Sequence, residues 1–191
     1  MIHVLITLFL LDSKDVHAKE SNYLPVNKYE KKEVQKRAKE FIEEMGCSIN
    51  VNFDIIKFSH NNASTTSNSI EQNPPSVFYI ASCGSGAYNH SSVLFYKQSK
   101  TKLSLVKFTV PLVSINEDGS IKNSGLAEKN FVGQLSYQNN NLISLSIGRG
   151  DRQLKKIGTY GIVNSKVVLE KFEFDATVDD IDNPTVVYHS P

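Results

Sequence analysis

Most of the chain after Gly46 consists of short stretches in which apolar and polar residues alternate, and this spacing is its strongest structural constraint. The pattern begins at Ile49, Val51 and Phe53, each separated from the next by one polar residue. Such alternation is typical of a β-strand that buries one face. Further strands are predicted over residues 77–83, 92–97, 103–111, 131–138, 142–147, 160–163, 167–174 and 185–189.

Turn-forming residues separate these strands. The segment 116–119 ends in Asp118-Gly119 and lies between apolar residues, as a hairpin requires. Residues 139–141 are all Asn and, like Asn164-Ser165, favour a tight turn with positive φ angles. Strands spaced this closely leave no room for crossover helices, so we expect an antiparallel sheet.

One segment has a helical period instead. Its apolar residues recur at spacings of three and four: Val34, Ala38, Phe41, Ile42 and Met45. Charged residues lie between them, and Gly46 supplies a residue that commonly ends a helix. We therefore predict an amphipathic helix over residues 29–45. The predicted fold class is mainly β (α+β), with this N-terminal helix packed on an antiparallel β meander that forms a sandwich or a partly open barrel.

The first residues resemble an export signal. The apolar run 4–11 is far shorter than the roughly 18–20 residues of a membrane-spanning helix. Val16-His17-Ala18 fits a signal-peptide cleavage site, which predicts a signal peptide over 1–18 and a mature single domain over 19–191. The expected location is periplasmic or secreted, with no stable membrane span in the mature chain. The alternative is a buried N-terminal strand.

The composition and net charge of the chain indicate which classes of binding partner to expect. The 191 residues carry a net charge of +1, which gives no electrostatic reason to expect a nucleic-acid partner. Hydrophobic residues make up 40% and charged residues 21%, as in ordinary globular proteins. No cofactor is expected. A protein of the cell envelope or the extracellular space is a candidate partner.

The chain has two cysteines, Cys47 and Cys83. An even number in an exported chain favours one disulfide, which would close a loop between the predicted helix and the strand 77–83. The alternative is two buried free thiols.

The segment after the strand 77–83 is rich in small residues and is the most distinctive motif. It contributes five candidate binding residues: Gly84, Ser85, Gly86, Tyr88 and Asn89. As a catalytic site it would use Cys83 or Ser85 as the nucleophile, activated by His90 or His60. The pattern is not the G-x-S-x-G of a nucleophile elbow, and no carboxylate can be assigned to orient a histidine. A turn between two strands, or a binding loop, is the favoured interpretation.

Two further segments carry charged residues. The run 148–152 contains Arg149 and Asp151, two more candidate binding residues, but lacks the glycine spacing of a phosphate-binding loop. A turn that ends a strand is favoured over an Arg-Gly-Asp adhesion motif. Four acidic residues near the C-terminus lack the spacing of a calcium loop, so a solvated loop is expected there and no metal site. They are Asp175, Asp179, Asp180 and Asp182.

Three segments in order, the run 83–89, a Gly148-Arg149-Gly150 turn and a Pro184-Thr185 strand, resemble a family of exported bacterial proteins, domain of unknown function 1176. The resemblance covers about residues 76–191 and implies export and a β-rich fold. The family has no established activity. Its members carry two further cysteines, whereas residues 151–158 and 172–182 of this chain contain none. If those cysteines form a disulfide in the relatives, this chain holds its C-terminal strands by packing alone.

These observations predict a non-enzymatic exported domain that binds a protein or a cell-envelope component through loops. The candidate loops are 60–73, 84–90 and 148–152, because loops on a rigid scaffold commonly carry recognition. The alternative is a thiol enzyme or hydrolase that depends on Cys83. A purely structural envelope protein is a third possibility.

Overall fold

The computed structural model describes residues 23–44, 54–61, 75–85, 90–99, 102–148, 154–175 and 184–191. Within these ranges the chain forms one helix and twelve strands. In chain order they are β1 Tyr23–Leu24, α1 Lys28–Glu44, β2 Ile55–His60, β3 Ser76–Ser85, β4 His90–Lys97, β5 Leu103–Leu105, β6 Phe108–Ile115, β7 Ile121–Lys129, β8 Val132–Gln138, β9 Asn141–Ile147, β10 Lys155–Val163, β11 Lys166–Asp175 and β12 Thr185–His189.

The strands form two antiparallel sheets. The large sheet has the order β1-β2-β3-β4-β8-β9-β10-β11-β12, with β5 paired to β4, and β6 and β7 form a separate hairpin. Every strand pairing is antiparallel, which confirms the prediction from strand spacing. In the described ranges β1 and β12 do not pair with each other, so the large sheet is open. The mainly-β fold is therefore confirmed, and the arrangement is a sandwich, not a barrel.

The large sheet folds over on itself. We call β1–β5 the N-terminal half and β8–β12 the C-terminal half. Strand order separates β2 from β8 by two strands, yet the rings of Phe58 and Tyr137 stack with centroids 4.1 Å apart. His60 Nδ1 and Tyr137 Oη are 2.9 Å apart, and Ser76 Oγ lies 2.7 Å from Ser165 Oγ. These contacts show that the two halves face each other.

The two halves join at a short seam. Within the described residues β4 and β8 pair at only two positions. Ser91 lies opposite Gly133, and Ser92 lies opposite Val132. Beyond these two pairs, side chains form hydrogen bonds with the backbone N–H and C=O groups of β8. Ser92 Oγ accepts the Leu135 N–H at 3.1 Å. The Tyr23 hydroxyl accepts the Tyr137 N–H at 3.1 Å and donates to the Tyr137 carbonyl at 2.9 Å. Backbone groups near a core need such partners, so these hydroxyls continue the ladder after β4 has diverged.

The main core lies between the two halves and under the β6–β7 hairpin. Its buried side chains come from eight strands: Phe58, Phe78, Ile80, Leu94, Phe108, Val132, Leu135, Tyr137, Leu142, Tyr160, Ile162, Leu169 and Phe172. Six of these thirteen side chains are aromatic, and each ring buries a large apolar area, so this cluster contributes most of the hydrophobic stabilisation.

Helix α1 packs on the opposite face of the N-terminal half, as predicted. Val34 and Ala38 are fully buried against a second apolar cluster that includes Phe95. Asn27 begins the helix, because its side chain accepts the backbone N–H of Glu30 at 2.9 Å and Glu30 in turn accepts the Asn27 N–H. This is a capping box. The side chains of residues 41–45 lie outside the described part, as does Gly46.

Glu30 also anchors the helix to the sheet. Its carboxylate accepts hydrogen bonds from Lys57 Nζ at 2.8 Å and Tyr79 Oη at 3.0 Å. Burial acts most strongly on this carboxyl group and opposes its ionisation. The hydrogen bonds from Lys57, the Asn27 backbone and Tyr79 outweigh burial and hold the pKa of Glu30 below 4.5.

The predicted turns are confirmed. Asn139 and Asn140 have φ angles of 51° and 66°, and Asn164 and Ser165 have 49° and 63°. Gly119, with φ of 81°, completes the β6–β7 hairpin. Positive φ is sterically costly for most residues, which explains why Asn and Gly occupy these positions.

Several strand limits differ from the sequence prediction. Strand β2 covers Ile55–His60, and the predicted strand residues 49–53 lie outside the described ranges. The single strand predicted over 103–111 is divided into β5 and β6, and β10 begins at Lys155, five residues earlier than predicted. In the part of the chain that the structure describes, no helix combines the length and apolar character needed to cross a membrane.

Candidate functional site

The β6–β7 hairpin lies over the C-terminal half and leaves a cavity beneath it. Asn123 Nδ2 on β7 donates to the Val187 carbonyl on β12 at 3.1 Å, and the rings of Phe108 and Tyr160 meet edge to face with centroids 5.2 Å apart. These contacts fix the hairpin at two points. The cavity between it and the sheet has a volume of about 590 Å³. Its lining comes from β4 and β6–β11.

Tyr160 is the most unusual side chain in this cavity. It is 1% exposed and lines the cavity, but its hydroxyl has no hydrogen-bond partner among the described residues. Burial raises the pKa of Tyr160, so the hydroxyl keeps its proton and can act as a donor. A buried hydroxyl without a partner costs about 1–3 kcal/mol, and native proteins rarely retain one without a reason.

Gly158 determines where this hydroxyl lies. A Cβ atom at Gly158 would lie 2.7 Å from Cε2 and 3.0 Å from Oη of Tyr160. The ring therefore lies along β10 over the glycine, with its hydroxyl beside Gly158. No other residue type leaves space for this placement without moving the ring.

Polar residues continue from Tyr160 along the same sheet face. Gly158 lies opposite Ser144 on β9, and Lys156 lies opposite Ser146. Side chains two residues apart on a strand share a face, and so do those directly opposite across strands. Tyr160, both serines and Lys156 all line the cavity. They give it one wall of hydrogen-bond donors.

The remaining lining is mostly apolar. It comes from the hairpin and from β8 and β11: Val110, Pro111, Leu112, Val113, Phe131, Val132 and Phe172. Leu112 is 46% exposed and Phe131 37% exposed, so they form part of the cavity mouth. Lys129 and Lys156 also line the cavity, and no Asp or Glu is among its described lining residues. The cavity therefore has a mostly apolar lining that also carries two positive charges, one from the hairpin and one from the sheet.

None of the seven candidate binding residues singled out by sequence is among the described residues that line this cavity. Gly84 and Ser85 form the end of β3, where the register with β4 shifts, so this part of the motif is strand and not a turn. The structure does not describe the side chain of Ser85. The other five candidate binding residues lie outside the described ranges: Gly86, Tyr88, Asn89, Arg149 and Asp151. Their binding roles stay predictions.

Two of the three predicted loops, 84–90 and 148–152, nevertheless adjoin strands that line the cavity. Ser91 follows the segment 86–89 by two positions and lines the cavity. Ser146 precedes the segment 149–153 and Lys156 follows it, and both line the cavity.

His60 does not fit the predicted role of activating base. It pairs with Ser76 at the far end of β3, seven residues from Cys83, or roughly 23 Å along an extended strand. Its ring bonds Tyr137 and the Ile162 backbone, and burial lowers the pKa of His60. Its role is therefore to join the two halves of the sheet.

The cysteine pairing stays a prediction. Cys47 lies outside the described residues, and the side chain of Cys83 is not described. Within the described ranges no three His, Cys, Asp or Glu side chains are grouped to hold a metal ion.

The acidic cluster needs one correction. Asp175 was expected in a solvated loop, but it is the last residue of β11 and is 5% exposed. It lies opposite Lys155, and cross-strand pairs of opposite charge are favourable in a sheet. Asp179, Asp180 and Asp182 lie outside the described ranges.

Sequence reasoning missed the cavity, although two signals for it exist. Leu142, Ser144 and Ser146 are alternate residues of one strand, so the two serines share the face that Leu142 directs to the core. Gly158 and Gly161 flank Tyr160 in a strand that otherwise carries bulky residues. Polar residues and glycine on a core face indicate a cavity or a close approach.

No family profile, curated protein or solved structure matches the chain. The resemblance to domain of unknown function 1176 therefore stays an expectation from three sequence motifs.

Proposed function

We propose that this chain is a binding protein whose site is the cavity under the β6–β7 hairpin. Its ligand has an apolar body and at least one hydrogen-bond acceptor. The observation that carries the proposal is Tyr160, which lines the cavity and whose buried hydroxyl has no partner among the described residues.

A structural core and a ligand site would fill this space differently. A structural core would place a Phe here, because a buried hydroxyl without a partner costs about 1–3 kcal/mol. A ligand acceptor removes that cost and gives the hydroxyl a role. The volume of about 590 Å³ lies within the range of roughly 300–1,000 Å³ that is usual for ligand sites. Such sites are mostly apolar with a few polar groups, as this one is.

This proposal keeps the binding role expected from the sequence and moves its centre. The loops 84–90 and 148–152 begin or end in strands that line the cavity, so we propose that they border the site. The signal-like residues 1–18 support an exported location, where the ligand would be a cell-envelope or extracellular compound. Intact mass of protein recovered from the periplasm tests this: a chain that begins at Lys19 supports export, and an uncleaved chain contradicts it.

A titration with the neutral apolar fluorophore N-phenyl-1-naphthylamine tests the site. Val113 lines the cavity and Val168 is 45% exposed on β11 and does not, so Val113→Phe and Val168→Phe are matched variants. We expect saturable binding by the parent and by Val168→Phe, and at least tenfold weaker binding by Val113→Phe. Far-ultraviolet circular dichroism checks that both variants are folded. Equal binding by the two folded variants, or no saturable binding by the parent, would overturn the proposal.

A further inference from the structure

We infer that the ligand is an anionic amphiphile whose negatively charged head lies between Tyr160 and Lys156. This inference deepens the proposed function and depends on it. The shared chemistry is a carboxylate or a phosphate on an apolar chain.

The lining of the cavity is positively charged. Lys129 and Lys156 line it, with no acidic residue among the described lining side chains. A partly enclosed cavity with charge of one sign favours a ligand of the opposite sign.

Lys156 differs in its contacts from two other lysines. Lys107, just before β6, lies 2.9 Å from Glu128, and Lys171 on β11 lies 2.7 Å from Glu173. Within the described ranges Lys156 has no such ion pair, and its Nζ lies 5.7 Å from the ring centre of Phe174. Its ammonium group is thus held at the cavity wall by an aromatic ring.

The hydrogen-bond donors of Tyr160, Lys156 and Ser144 are spaced to meet one anionic head. Tyr160 Oη lies 3.0 Å from the Cβ position of Gly158, the residue midway between Tyr160 and Lys156 on β10. Ser144 lies directly opposite Gly158. Alternate residues on a strand are about 7 Å apart, so one carboxylate or phosphate can accept from Tyr160 and Lys156 together. The serine hydroxyl is a third donor within the same row.

The apolar lining accommodates the chain of the amphiphile. Val110 and Val113 from the hairpin lie on one side and Val132 and Phe172 from the C-terminal half on the other. Each buried methylene contributes about 0.8 kcal/mol to binding, so a chain of about twelve carbons supplies affinity while the head sets orientation.

The experiment compares ligands that share a twelve-carbon tail. Dodecanoate, dodecyl phosphate, 1-dodecanol and dodecyltrimethylammonium, each below its micellar concentration, compete with N-phenyl-1-naphthylamine. We expect both anions to displace the fluorophore at about tenfold lower concentration than the alcohol, because hydrogen bonds to charged groups are stronger than neutral ones. The cation should displace it least. The order of dodecanoate and dodecyl phosphate distinguishes the two kinds of head.

Two lysine variants complete the design. Lys156→Met keeps the apolar stem and should weaken binding of both anions about tenfold while leaving the alcohol unchanged. Lys166→Met, at the exposed first residue of β11, should change neither. If the fluorophore binds but the alcohol and the anions compete equally, the cavity binds ligands and only the inference of charge fails. If neither the fluorophore nor any amphiphile binds, the proposed function itself fails.

Discussion

Replacing Tyr160 with Phe should make the free protein more stable and the ligand complex weaker. The substitution removes one hydroxyl that is 1% exposed and without a partner in the described ranges, and it leaves the ring and its contact with Phe108 in place. Removal of such a group recovers its desolvation cost, about 1–3 kcal/mol. For a domain of this size each kcal/mol raises Tm by roughly 2–4 °C. Thermal unfolding followed by circular dichroism measures the change.

Tyr137→Phe is the matched control. Tyr137 is also a buried tyrosine of the main core, but its hydroxyl lies 2.9 Å from His60 Nδ1 and 3.4 Å from Asn140 Oδ1. Its loss leaves these groups without their partner, so the variant should be less stable by about 1 kcal/mol. The two substitutions remove the same atom and should change Tm in opposite directions.

The amphiphile should reduce the stability advantage of Tyr160→Phe over the parent. A ligand at a hundred times its Kd stabilises the folded state by about 2.7 kcal/mol, and a variant that binds more weakly gains less. The difference in Tm between Tyr160→Phe and the parent should therefore shrink as dodecanoate is added. A Tyr160→Phe protein that melts below the parent without ligand would refute the reasoning, because its hydroxyl would then be satisfied in the free protein.

Three further substitutions test the packing and the anchors. Gly158→Ala places a methyl group against the Tyr160 ring and should cost about 1–3 kcal/mol and weaken fluorophore binding. Glu30→Gln removes a carboxylate whose side chain is 14% exposed and should cost about 1–3 kcal/mol at pH 7. Because its folded-state pKa is lowered, the parent loses this advantage as pH falls below 4.5, and the two proteins should converge in acid. Tyr23→Phe leaves two backbone groups of Tyr137 without a partner and should cost about 1–3 kcal/mol.

Urea unfolding at several pH values measures these costs. A Glu30→Gln protein that differs from its parent equally at pH 7 and in acid would contradict the role given to the carboxylate. Unchanged binding in a folded Gly158→Ala protein would show that the ring position does not matter to the site. Hydrogen exchange at the Tyr137 amide is the sharpest check on Tyr23, and unaltered protection in Tyr23→Phe would exclude that contact.

The local features of this fold follow from its sequence, whereas the site does not. The spacing of Val34 and Ala38 predicts the helix surface that is buried. Asn139-Asn140 predicts its turn because few residues accept positive φ. These features depend on neighbours in the chain. The cavity depends on β6 meeting β10 and β11, which are far apart in sequence, and period-two alternation assigns Tyr160 to the core without showing what faces it.

The contact of Tyr23 with Tyr137 has a consequence for how the chain folds during synthesis. The two residues are separated by 114 positions, and the first emerges from the ribosome long before the second. The Tyr23 hydroxyl therefore cannot form this contact until the intervening strands have been made. Long waits of this kind slow folding, because the entropy of closing the loop must be lost before the contact forms. We therefore expect the contact between β1 and β8 to form late in folding. A chain without β1 should still fold, with β8 the first strand to lose its hydrogen bonds on unfolding.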